Sequence, residues 1–492
     1  MRGAMAQFVL RTTCLLCVWL AVCSTATRAQ SSATESPRDS SETEQFQAQT
    51  ESQGAAGAPE SSDADDSLTL FPRSETSRYW ISGQANIIFQ WHPSFPAEYS
   101  GPNSLRPVAE SATSRVLTLY LGYELSSTTE VYLDIESAGG HGISQSLGLA
   151  GYTDLDALRL GLASQTPYVA RAMIRQIIPL TDERIPEERD GASFTLANTV
   201  PARRIEIRAG KFNMEDFFDQ NTYGSDSHLQ FLNWTVDSDG AFDYAANTRG
   251  YTDGVIVEYD DRWFSARFAT ALMPKVANGL DLDADLARAR EEDLEFDFTG
   301  TRLLHRAGVL RLLGYVNRGD MGSYEQAIEG YLHGQTPTPE ITATRLQGRH
   351  KYGFDLNFEQ EVAPDIGVFG RLGWEDGRNE TFAYTECDRT LELGAFSKGT
   401  RWGRRNDRAG VAFVANGIVA AHQEYLALGG LGFQLGDGGL TYGPEKIVEG
   451  FYTAHVWRGF FTSFDLQHIN NPAYNMARGP VLVPALRLHV DF

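Results

Sequence analysis

The chain has 492 residues, with 64 Asp and Glu against 42 Lys and Arg, a net charge of −22. Acidity of this size argues against nucleic acid as a partner, which asks for a basic surface. Past the N-terminal segment no run of 18 or more apolar residues occurs, so membrane-spanning helices are excluded, while a β-barrel stays open because only every second residue of its strands faces lipid.

The first segment, "MRGAMAQFVLRTTCLLCVWLAVCSTATRAQ", has Arg2 and Arg11 ahead of an apolar stretch from Thr12 to Cys23 and ends on small residues around Ala29. This is the pattern of a secretory signal over residues 1–29. A lipoprotein reading at Cys23 competes, but Val22 is bulkier than the small residue wanted before such a cysteine. Cleavage would remove Cys14, Cys17 and Cys23 and leave Cys387 alone, so no intramolecular disulfide is expected. Residues 30–77 hold ten Asp or Glu, two Arg and two aromatics, Phe46 and Phe71. Such a composition cannot repay its ordering entropy and predicts a disordered, acidic, Ser-rich periplasmic tail, or a segment that docks on a partner there.

From Tyr79 onward the sequence alternates. In "RVLTLYLGYEL", Leu117, Leu119, Leu121, Tyr123 and Leu125 share one face, and Thr118, Tyr120, Gly122 and Glu124 the other. After the short turn "SSTT", "EVYLDIE" sets Val131, Leu133 and Ile135 against Tyr132, Asp134 and Glu136, which predicts a hairpin. "RIEIRAGKF" sets Ile205, Ile207 and Ala209 against Arg204, Glu206 and Arg208. "LEFDF" and "GFDLNFEQE" repeat the pattern. A second face that keeps returning to Asp, Glu and Arg suits a hydrated lumen, and also suits an antiparallel sheet with one wet face. Trp80, Trp91, Trp263, Trp374, Trp402 and Trp457 fall near strand ends, as an interfacial girdle requires, or as ordinary core tryptophans would. Between the strands, Phe212 to Gly250 predicts one long loop, and "GLDLDADLARAREEDL" predicts a short helix from the near-helical spacing of Leu282, Leu286 and Ala289. The chain stops on another alternating strand, "ALRLHVDF", which ends at Phe492.

Several stretches resemble the carbohydrate-selective porins of the OprB type. They are "QWHPSFPAEYSGPNSL" (Gln90–Leu105), "GKFNMEDFFDQNTYGSDSHLQFLNW" (Gly210–Trp234), "GAFDYAANTRGYTDG" (Gly240–Gly254), "YGPEKIVEGFY" (Tyr442–Tyr452) and "FDLQHINNPAYNMARGPVLVPALRLHVDF" (Phe464–Phe492). The resemblance covers about Tyr79 to Phe492 and implies an all-β protein, a transmembrane antiparallel barrel of 16 strands in the bacterial outer membrane that passes mono- and small oligosaccharides by passive diffusion. Residues 78–492 give about 26 residues per strand and connection, which fits strands of roughly ten residues. The last strand would pair with the first, near "YWISGQANIIFQ", and leave no edge. Phe492 resembles the terminal residue that barrel-assembly machinery reads. A homo-oligomer within the outer-membrane lipid is compatible with this reading.

The long loop is expected to fold inward and narrow the pore. Phe217, Phe218, Tyr223 and Trp234 would offer flat faces to sugar rings and Asp216, Asp219 and Asn221 would bond hydroxyls, or the aromatics merely pack the loop to the wall. Arg204, Glu206 and Arg208, with Glu124, Asp134 and Glu136, are the further pore-lining candidates, either as a selective ring or as solvated lumen residues. Arg487, remote from the loop in sequence, is expected to matter less. "DSDGAFD" (Asp237–Asp243) is half a calcium loop without its terminal Glu, so no metal is assigned. No GxSxG, HExxH or Walker-type motif occurs, and no catalytic residue or cofactor is expected. The competing readings are a general or other-solute porin and a soluble periplasmic β-rich carbohydrate-active enzyme. A receptor-type transporter would need a plug domain that a 48-residue tail cannot supply.

Overall fold

A computed structural model describes residues 67–71, 77–158, 166–187, 195–301, 305–382 and 386–492. The expected signal peptide, and the tail apart from 67–71 and Ser77, lie outside the described residues.

The described strands in chain order are β1 (Tyr79–His92), β2 (Glu110–Ser126), β3 (Thr129–Gly140), β4 (Tyr168–Pro179), β5 (Arg184–Pro186), β6 (Thr199–Pro201), β7 (Arg204–Phe212), β8 (Thr252–Asp261) and β9 (Phe264–Ala271). They continue as β10 (Arg290–Thr301), β11 (Gly308–Met321), β12 (Leu346–Ala363), β13 (Ile366–Glu375), β14 (Arg389–Lys398), β15 (Arg408–Gly417), β16 (Glu445–Trp457), β17 (Phe460–Asn470) and β18 (Val481–Asp491). All but β5 and β6 close one antiparallel barrel of 16 strands, in which β1 neighbours both β2 and β18. β5 and β6 pair with each other in the connection between β4 and β7. Closure satisfies every strand edge internally, the condition for a sheet in hydrocarbon.

The seam forms where the sequence predicted it, with Gln84 opposite Asp491 and Gln90 opposite Ala485. At its end the Phe492 backbone N–H donates to Gly83 O at 2.9 Å, and Ser82 Oγ donates to Phe492 O at 2.6 Å. A Cβ on Gly83 would stand 3.0 Å from the Phe492 ring, so the glycine makes room for that ring. Both ends of the barrel chain lie on the side of the short turns Ser127–Thr128, Arg262–Trp263, Pro364–Asp365 and Arg458–Gly459. In outer-membrane barrels that side is periplasmic. Leu70, from the described tail residues, donates its N–H to Asp491 O there, at 2.9 Å.

Residue parity decides what each side chain meets. Leu393, Val411, Phe464 and Leu488 are half-exposed on the outside, where lipid covers them. Asp355, Asn357, Glu295 and Arg487 are buried in the lumen. Among the described residues no helix is long and apolar enough to cross a membrane, which says nothing against strands that do.

Two expectations fail. "GLDLDADLARAREEDL" is not a helix: Leu282 bridges to Pro274, and β10 already begins at Arg290. Asp283 and Asp285 accept the backbone N–H groups of Asp285 and Ala287 at 3.0 and 3.1 Å. Such local bonds compete with helical ones. Trp80 does not join the girdle. Its even position on β1 points it into the lumen, where it stacks on Tyr120 at 5.6 Å, whereas Trp91, Trp263, Trp402 and Trp457 are exposed on the outside.

Candidate functional site

The connection from β7 to β8, residues 213–251, folds into the barrel. It starts with a 3-10 turn, Met214–Asp216, which Asn213 and Asp216 close as a capping box. A second short turn, Trp234–Asp237, is capped by Asn233, whose side chain accepts from Thr235 N–H at 3.1 Å. Between and after these turns the backbone is irregular, so its polar groups need partners inside the lumen.

The wall supplies them. Arg371 on β13 is fully buried and holds the loop through most of its donors. It bonds Asp219 Oδ1 at 2.8 Å, Ser225 Oγ at 2.7 Å and the carbonyls of Val236 and Asp237, both at 3.0 Å, while Glu392 on β14 balances its charge at 2.8 Å. Glu449 on β16 accepts the Leu232 and Asn233 N–H groups, and Glu359 on β12 accepts Thr222 N–H at 2.6 Å. Glu295 accepts Asp219 N–H at 2.8 Å. Lys351, also on β12, is buried between Asp243 at 3.1 Å and Glu375 at 2.8 Å. Arg487, expected to matter little, donates to Ser227 O at 2.8 Å and Gln230 O at 2.6 Å. Remoteness in sequence misled because β18 adjoins β1 and β17, directly beneath this part of the loop.

Under the loop lies a polar cavity of about 890 Å³ that reaches residues of the periplasmic rim such as Lys398, Asp365 and Asp491. Of the predicted site residues, Arg208, Asp216, Phe217, Phe218, Asp219, Asn221, Tyr223, Trp234 and Glu136 border it. The accessible ones are fewer. Phe218 is wholly buried, Trp234 stacks on Tyr244 at 6.2 Å, Asp219 is taken by Arg371, and Asn221 bonds Asn357 Oδ1 at 2.8 Å. Phe218 and Trp234 therefore pack the loop rather than offer open faces. Tyr223 is half-buried, stacked on Phe396 at 5.7 Å, and keeps ring surface toward the cavity.

Arg204, Glu206, Glu124 and Asp134 do not border the cavity. Glu206 is enclosed by Arg175, Arg204 and Arg208 at 2.7, 2.5 and 2.5 Å. Arg204 is drawn toward Asp260 at the periplasmic end of β7. Glu124 lies next to the Ser127–Thr128 turn, and Asp134 sits behind Arg171, 3.4 Å away. Arg171 was missed by the sequence reading. It grips Asp216 with two bonds, 2.6 and 2.5 Å, and faces the cavity. Arg208 reaches Glu258 at 2.7 Å and lies 5.0 Å above the Phe217 ring. Arg408 meets Asp226 of the loop at 2.5 Å. Cations of the wall thus stand beside carboxylates, so the lining is rich in hydrogen-bonding groups of both kinds, with carboxylates in excess.

At the half calcium loop, the Lys351 ammonium pairs with Asp243 at 3.1 Å, and among the described residues no group of three or more His, Cys, Asp or Glu is arranged to hold a metal. Cys387 is buried in the β13–β14 connection, and burial pushes its thiol up to about 12, so it is inert at neutral pH.

The model of the carbohydrate-selective porin family, OprB, matches residues 103–492. The chain belongs to that family. It is an outer-membrane porin and not an enzyme. The fold agrees with the OprB of Pseudomonas putida in its high-pH structure, with a TM-score of 0.64 at 15% identity over 84% of this chain and 94% of that one. The low-pH structure of the same protein gives 0.45 at 12% identity, covering 84% and 92%. The outer-membrane channel DcaP of Acinetobacter baumannii gives 0.48 at 8% identity, covering 86% and 100%. No curated protein matches the sequence. Within the porin, residues 213–251 form the inward loop, and the polar cavity lies between it and the wall.

Proposed function

We propose that neutral sugars of one to a few rings diffuse through the space between the loop and the wall at Arg171, Arg208 and Tyr223. The observation that carries this reading is the pairing of Arg171 with Asp216 and of Arg208 with Glu258 around the cavity that the half-open Tyr223 ring also borders. A sugar hydroxyl donates and accepts at once, so adjacent guanidinium and carboxylate groups can both be used. A neutral solute needs no net field, and an aromatic face suits the apolar side of a sugar ring.

The test is uptake into proteoliposomes together with planar-bilayer recording. The protein should pass glucose and maltose faster than uncharged non-sugars of equal size. Arg171→Ala combined with Arg208→Ala should weaken sugar block by roughly tenfold, the scale of one or two lost charge-assisted hydrogen bonds. It should also shift ion selectivity toward cations, because Asp216 then loses its cation and Glu206 and Glu258 each lose one of theirs. Rates that follow solute size alone would make this a general porin.

We also propose that assembly machinery engages the terminal strand through Phe492. Phe492→Asp would set an acid at the closing seam against Gly83, where the ring now sits. Membrane fractions should hold several-fold less folded, heat-modifiable mutant barrel. Undiminished levels would show that the terminal ring is dispensable. Association of several barrels into a homo-oligomer is a further part of this proposal.

A further inference from the structure

In a chain of net charge −22, the connection between β14 and β15 is an exception. "KGTRWGRRNDR", Lys398 to Arg408, holds five basic residues and one acid. Lys398, Arg401, Arg404 and Arg405 are all exposed. The connection lies at the periplasmic end, on the side of the chain ends.

Its acid is used up in shaping it. Asp407 is buried and accepts from Arg404 Nε at 2.5 Å, from the Tyr452 hydroxyl, and from His455 N–H at 3.0 Å. Gly403, with φ +78°, turns the chain back after the 3-10 turn Gly399–Trp402. These contacts fix the connection against the rim of β16. Trp402 donates its indole N–H to Tyr452 OH at 3.2 Å and keeps 41% of its surface exposed. The next connection, between β16 and β17, brings Arg458 to 5.1 Å above the ring of Trp457, which is also exposed.

Exposed amphipathic rings on the outside of a barrel mark the headgroup level of the bilayer. Here cations stand directly beside them, where the phosphates of the periplasmic leaflet lie. Three of the short turns differ in their charge. Ser127–Thr128 is uncharged, Pro364–Asp365 is acidic, and Arg262 beside Trp263 pairs with Glu183.

We propose that this basic, aromatic-edged patch binds the headgroup of an anionic phospholipid of the periplasmic leaflet. Arg401 and Arg405 face the phosphate, and Trp402 and Trp457 cover the start of the acyl chains.

The experiment is native mass spectrometry of the full chain from detergent, with cardiolipin, phosphatidylglycerol or phosphatidylethanolamine added in equal amounts. The unaltered protein should retain cardiolipin about fivefold or more over phosphatidylethanolamine, consistent with several cations near one anionic headgroup. Arg401→Gln and Arg405→Gln together should bring cardiolipin down to the phosphatidylethanolamine level. Arg401→Gln alone leaves the Asp407 contacts intact and should lose part of the preference, which covers the case of a double variant that fails to assemble. Arg184→Gln with Arg262→Gln, elsewhere on the same side, should change nothing. Equal retention of all three lipids, or an undiminished preference in the variants, overturns the proposal. So does retention on peptidoglycan sacculi that depends on the same residues without any lipid preference.

Discussion

Replacing Arg371 with Ala should free the constriction loop while leaving the barrel closed. The side chain holds Asp219, Ser225 and the carbonyls of Val236 and Asp237, and its charge offsets Glu392. Its loss strands Asp219 and Glu392 inside the lumen. Removing one partner of a buried pair costs roughly 3–5 kcal/mol, because the other charge is left without compensation. That cost falls on the docked state of the loop, since the strand ladder of β13 with β12 and β14 does not use the side chain. Single-channel conductance should rise and become noisier, and sugar should block less. Proteinase K should cut within residues 213–251 of the mutant and spare the unaltered protein. Arg371→Lys should fall between the two, because an ammonium keeps the charge but not the planar fork. Unchanged conductance together with protease resistance would mean that the remaining contacts suffice to hold the loop.

The second large effect is expected at Lys351. Its ammonium is wholly buried between Asp243 of the loop and Glu375 of β13, so Lys351→Met leaves two buried carboxylates facing each other. A loss of about 3–5 kcal/mol again follows from the uncompensated charge. Here it touches both the loop and the wall, because Tyr315 on β11 also donates to Glu375, at 3.0 Å. The heat-modified band on a gel should appear at a markedly lower temperature than in the unaltered protein. Lys351→Met with Asp243→Asn should recover part of the loss, since the double change removes an acid along with its partner. If the double variant is no better than the single one, the ion pair is not what holds this end of the loop.

Both predictions rest on wall residues that no local pattern singled out. Arg371 stands in "FGRLGWE" and Lys351 in "RHKYGFD", each a polar residue among alternating neighbours. Parity shows that they point inward. It does not show which inward residues meet the loop, because the loop docks onto strands far away in sequence. Arg171 was overlooked for the same reason: its partner Asp216 lies 45 positions on. For Phe218 and Trp234 the sequence left open ring faces and packing side by side, because loop aromatics look alike whether they pack or bind.

The sequence by itself, read together with its resemblance to the OprB-type porins, determined the architecture. A period of two with apolar residues on one face and Asp, Glu and Arg on the other suits a strand between lipid and water, and the terminal alternation up to Phe492 gave the closing strand and its partner in β1. It also located the long connection after Phe212, since a stretch rich in Gly, Asp and Asn cannot continue a strand. Only the tertiary structure decided which way Trp80 faces within its strand, that the acidic run before β10 turns instead of coiling, and which charges pair across the lumen. Those outcomes depend on register around a closed barrel and on contacts between segments a hundred or more residues apart, such as Asp219 with Arg371. Local propensity is set within a few neighbouring residues and carries no information about them.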